Sequence, residues 1–89
     1  MIVGKVVGSL WATRKDEKLN GLKFLVIEPL YKKDGANDYF VAADNSGAGV
    51  SDTVLVTTGG GARASLENPQ LPVDAVVVGV VDSIDIEED

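Results

Sequence analysis

The stretch Gly59-Gly60-Gly61-Ala62-Arg63 is the part of the chain that comes nearest to a reactive site. A glycine-rich turn entering a helix can aim backbone N–H groups at a phosphate. The match stops there. A phosphate loop needs Gly-Lys-Ser/Thr at a fixed spacing, and a dinucleotide fingerprint needs a much longer helix. The structural reading is a tight backbone approach, because glycine allows close contact and positive φ. Gly47-Ala48-Gly49 carries the same ambiguity and reads as a turn. Glu28, Asp44, Asp52 and Asp74 are spread along the chain, and no spacing favours the paired carboxylates of a glycosidase. Trp11 could stack on a ligand or base, but reads more readily as a core or interface aromatic.

Composition removes most chemistry. The 89 residues contain no cysteine and no histidine. Thiol nucleophiles, thiolate metal sites and disulfides are gone, and with histidine goes the commonest general base. A Ser-His-Asp triad cannot form within the chain, and no run resembles a calcium-binding loop. The expectation is no enzyme, no cofactor and no metal. The net charge of −6 argues against nucleic acid as a partner. It is unevenly placed: residues 1–33 hold seven basic and three acidic residues, whereas residues 34–89 hold one basic residue, Arg63, and eleven acidic ones. The plainer reading is two solvated faces of opposite sign; the functional one is that such faces meet between copies. No signal peptide is visible, and the apolar run Ala75 to Val81 is far too short to span a bilayer. A cytosolic protein without membrane partners is expected.

Any site must sit on a small all-β frame. One domain spanning residues 1–89 is expected, with a short acidic tail at about 87–89. Strands are predicted at Ile2 to Ala12, Lys23 to Leu30, Tyr39 to Asp44, Thr53 to Thr58, and from Asp74 or Ala75 to about Ile86. Gly4 and Gly8 mark a bulge or corner in the first strand. Asp34-Gly35 signals a hairpin. Gly59-Gly60-Gly61 should break the chain, Ala62 to Glu67 could form one or two helical turns, and Asn68-Pro69 should end them. These elements predict a small five-stranded OB-like barrel with one short helix.

The last strand is apolar on both faces of its pleat, through Ala75-Val76-Val77-Val78-Gly79-Val80-Val81. A lone barrel strand facing water on one side should alternate, so both faces should be covered. The short helix could cover the outer face. A neighbouring subunit is the favoured cover, because a chain this short has little else to offer.

In order along the chain stand Gly4-Lys5-Val6-Val7-Gly8, Leu10-Trp11-Ala12-Thr13-Arg14-Lys15, Leu19-Asn20-Gly21-Leu22-Lys23-Phe24-Leu25, Val41-Ala42-Ala43-Asp44, Gly47-Ala48-Gly49-Val50, Val54-Leu55-Val56, Gly59-Gly60-Gly61-Ala62-Arg63, Pro72-Val73-Asp74-Ala75 and Val78-Gly79-Val80-Val81-Asp82. The ordered series resembles the vertex proteins of bacterial microcompartments, small shell proteins of carboxysomes and ethanolamine-type metabolosomes. Two departures are visible. The family usually shows glycine-glutamate at Ser51-Asp52, and serines where this chain has Gly60 and Gly61.

The resemblance implies a structural protein: a cyclic homopentamer that closes a shell otherwise tiled by hexameric shell proteins, in the bacterial cytoplasm. A six-fold ring stays open, since a small change in wedge angle alters the closure number. Such a ring is heterologous, with one patch meeting a different patch of the next subunit. The subunit interface or axial pore is expected at Gly59, Gly60, Gly61, Ala62, Arg63, Gly47 and Gly49. Neighbour contacts are expected at Trp11, Thr13, Arg14 and Lys15, and the interface strand at Val76, Val78 and Val80. Arg63, the lone cation of an acidic half, is expected to pair with a carboxylate. The alternative is an OB-like binding module for nucleic acid or a saccharide, which would want a basic groove with exposed aromatics. A third reading, an enzyme or ligand-regulated pore, would place its ligand at the glycine loop.

Overall fold

The computed structural model describes residues 1–11, 17–19, 21–31, 38–44, 46–66 and 73–86. Its strands are β1 (Ile2–Leu10), β2 (Lys23–Pro29), β3 (Phe40–Asp44), β4 (Thr53–Thr58) and β5 (Ala75–Val80), with a 3-10 turn at Glu17–Leu19 and one helix, α1 (Gly60–Ser65). The strands close into a barrel in the order β1-β2-β3-β5-β4. All ladders are antiparallel except β3 with β5, which pair in parallel through Ala43↔Val76 and Asp44↔Val77. The hairpin turn expected at Asp34-Gly35 lies outside the described residues, but β2 and β3 are antiparallel neighbours as a hairpin requires.

Period-two patterning fills the barrel. Val54 and Val56 of β4 point inward while Leu55 and Thr57 are only partly covered. With Val6, Leu25, Ile27, Ala42, Ala48, Ala75 and Val77 they form one buried cluster, against which Ile2 and Phe40 pack. The barrel thus encloses side chains, as small barrels do, and not a channel. Gly4 is required by closure: a Cβ there would collide with Cγ2 of Ile27 and stand 3.0 Å from the carbonyl oxygen of Glu28. The bend expected near Gly8 is a register shift between Val6 and Gly8 against β2, which leaves Val7 without an opposite residue.

A second cluster lies outside the barrel. Ala43, Ala62, Val73 and Val76 are buried there, flanked by Leu19, Leu22, Phe24 and Leu66. This corrects the expectation for the last strand. The outer face of β5 at Val76 is covered by α1 of the same chain, and Val76 and Ala62 are fully buried without a neighbour. The cover is partial, because α1 has only six residues. A second register shift, between Leu55 and Val56 of β4, leaves Val78 unopposed. Past it Val78 and Val80 are 37% and 43% exposed. The strand also stops at Val80, well short of Ile86.

Candidate assembly surface

The glycine run makes three different demands on the backbone. Gly59 closes β4 with φ 64° and ψ −139°, a combination essentially reserved for glycine. Its N–H donates to the carbonyl of Asp74 at 2.8 Å, tying the end of β4 to the approach to β5. Gly60 and Gly61 do not break the chain as expected; they are the first turn of α1. A Cβ on Gly61 would stand 3.0 Å from Oγ1 of Thr57, so α1 lies close on β4, whereas one on Gly60 would meet nothing within 4 Å. Helix α1 has no side-chain N-cap. The N–H of Ala62 is spent on the carbonyl of Gly59 at 3.1 Å. A single short turn of this kind is scaffolding for the outer cluster and is not built as a phosphate cradle. Arg63 is partly exposed and makes no ion pair with any described residue.

The other glycine loop serves its own barrel. Ala48 is fully buried between Gly47, at φ 79°, and Gly49. Nζ of Lys23 donates to the Ala48 carbonyl at 2.7 Å. Oδ2 of Asp52 accepts the N–H of Gly49 at 2.8 Å, and Val6 exchanges backbone hydrogen bonds with Asp52 and Ser51 at 2.9 Å each. Oδ1 of Asp44 accepts both the N–H and Oγ–H of Ser46, at 2.9 and 3.0 Å. Two of the scattered carboxylates are therefore committed to holding a plug in one end of the barrel. Ser51 stands at φ 81°, a left-handed conformation the sequence signalled only as a departure from glycine.

Trp11 directly follows β1 and is 93% exposed. With Leu10, Leu22, Lys23 and Phe24 it lines a cleft of about 490 Å³. Thr13, Arg14 and Lys15, expected beside it, lie outside the described residues, as does the acidic tail at 87–89. Among the described residues, no group of His, Cys, Asp and Glu could hold a metal ion, and no helix is long and apolar enough to cross a membrane. On the outer face of the β2–β3 ladder half-buried Val26 stands opposite exposed Val41.

Comparison with known proteins places this arrangement. The chain is 44% identical over 91 aligned residues to the carboxysome shell vertex protein CcmL of Nostoc sp., covering 99% of this chain and 89% of that protein. It is 34% identical over 87 residues to the bacterial microcompartment shell vertex protein EutN of Escherichia coli, covering 94% and 90%. The solved GrpN pentameric microcompartment shell protein from Rhodospirillum rubrum superposes with a TM-score of 0.83 at 38% identity, over 98% of this chain and 100% of that one. A family model described as ethanolamine utilisation protein EutN/carboxysome matches residues 1–82, and the chain belongs to that family.

Proposed function

We propose that the chain is a structural shell vertex subunit: five copies form a ring that closes a microcompartment shell in the bacterial cytoplasm, without catalysis. One observation carries the reading on this chain's own surface. The barrel interior is packed, yet large apolar side chains stay exposed outside it at Trp11, Val78, Val80, Ile84 and Ile86, the kind of patch that marks an interface. A vertex subunit is also a shell relative's role, as the vertex proteins above are named.

With no channel inside the barrel, any pore runs along the ring axis between subunits. The exposed glycine turn at Gly59, Gly60 and Gly61 and the neighbouring Arg63 are suited to that axis or to the seam beside it. Val78 and Val80 suit the seam, with Trp11, Thr13, Arg14 and Lys15 toward a neighbour. Ala62 and Val76 support this surface from beneath. Gly47 and Gly49 shape the adjoining plug. In the assembled shell the ring would be bordered by hexameric shell proteins. Native mass spectrometry tests the reading: a single species of five 9.3-kDa chains is expected. A stable monomer would refute it, and six chains would correct the closure number.

A further inference from the structure

Beyond Val80 the chain leaves the barrel. The N–H of Val81 still donates to the carbonyl of Thr53 at 2.8 Å, but among the described residues no hydrogen bond ties Asp82–Ile86 back to the barrel. Every residue from Asp82 to Ile86 is exposed. The segment nevertheless carries two β-branched apolar side chains, Ile84 at 43% and Ile86 at 61% exposure. In extended backbone, residues two apart share a face. Asp82 and Asp85, followed by Glu87, Glu88 and Asp89, make the same segment strongly acidic, with no basic residue after Arg63.

The matching surface lies at the same end of the barrel. β1 is antiparallel to β2, β2 to β3, and β3 is parallel to β5. β1 and β5 therefore run in one direction, and Trp11 and Val81 emerge at one end. There the Leu10, Trp11, Leu22 and Phe24 cleft stands beneath a tryptophan that is 93% exposed. The charged residue of its lining is a cation, Lys23.

We propose that segment 82–86 of one copy seats in the Leu10–Trp11 cleft of the next copy around the ring, with Ile84 and Ile86 against Trp11 and Asp82 and Asp85 toward Lys23. The proposal rests on the ring reading above. A second copy fits better than a foreign partner, because each chain carries both an unpartnered apolar acidic segment and an unfilled, mostly apolar cleft lined by Lys23. Segment into cleft is a head-to-tail contact, the kind that closes a cyclic ring and that a two-fold dimer does not need.

The absence of cysteine makes the test clean. The double variant Leu10→Cys with Ile84→Cys is treated with a short bis-maleimide and run on a denaturing gel, with native mass measured in parallel. A ladder of linked chains up to the full ring is expected, and neither single variant should produce species beyond the dimer. A ring in the native spectrum with no ladder, or with links only inside single chains, overturns the proposal. A second variant, Ile84→Asp with Ile86→Asp, changes only exposed positions. It should leave the circular dichroism of the barrel unchanged. It should also raise the chain concentration at which the ring dissociates by at least about tenfold, as expected for losing apolar anchors from each contact. An unchanged dissociation midpoint also overturns it. If the unmodified chain forms no ring at all, the ring reading itself fails, and this proposal with it.

Discussion

Alanine substituted in turn at Gly59, Gly60 and Gly61 should give three different outcomes, although the residues are adjacent and identical. At Gly59, with φ 64° and ψ −139°, a Cβ forces the backbone into a region that costs on the order of 1–3 kcal/mol. Restricting the unfolded chain returns about 0.4–1 kcal/mol. The net loss is about 1–2 kcal/mol. Gly60 is helical and a Cβ there meets nothing within 4 Å, so Gly60→Ala should gain about 0.5–1 kcal/mol of helix propensity. Gly61→Ala earns the same propensity but sets its Cβ 3.0 Å from Oγ1 of Thr57, and the two effects should roughly cancel. Equilibrium urea denaturation at one fixed chain concentration measures the order Gly60→Ala above wild type, Gly61→Ala near it, Gly59→Ala below. A midpoint for Gly59→Ala at or above that of Gly60→Ala would refute the backbone argument. Native mass on the same samples separates a second effect. A Gly60→Ala chain with an intact barrel but no ring would place a neighbour's atoms in the space that is open in the single chain.

Four further outcomes follow. Gly4→Ala should lose about 1–3 kcal/mol or fail to fold, because its Cβ overlaps Ile27 and the Glu28 carbonyl inside a closed barrel; a thermal melt reads this directly. Ser51→Gly should raise the unfolding free energy read from urea titration by about 1 kcal/mol, since it relieves a non-glycine residue at φ 81°, while Ser51→Ala should not; the reverse order would show that the hydroxyl, and not the backbone, matters. Lys23→Met should cost about 0.5–1.5 kcal/mol by removing the donor to the Ala48 carbonyl, and hydrogen exchange should show the loop at 46–52 opening first. Arg63→Ala should leave the monomeric barrel folded, because Arg63 pairs with no described residue in it; size-exclusion chromatography then reports a weakened ring if a neighbour supplies its carboxylate, and an unchanged ring removes Arg63 from the seam.

The β-branched runs and the turn residues were enough to place five strands, a bend near Gly8 and a small barrel. All of these depend on local properties: period-two alternation and glycine and proline punctuation. The ordered motifs likewise carried the family. What the sequence could not settle were the matters of coverage and closure. Val76, Val78 and Val80 look equivalent along the chain. Val76 is buried because Ala43, thirty-three positions earlier, pairs with it and α1 folds over both; Val78 and Val80 stay open because a register shift and a six-residue helix leave them so. The same holds for the glycine run, whose helix begins two residues early. It holds for Ser51, pressed into a left-handed turn by its exchange with Val6, and for the end of β5, where β4 runs out of residues to pair at Thr53. Alternation is written into each strand, but which face finds a partner depends on residues brought together only when the barrel closes.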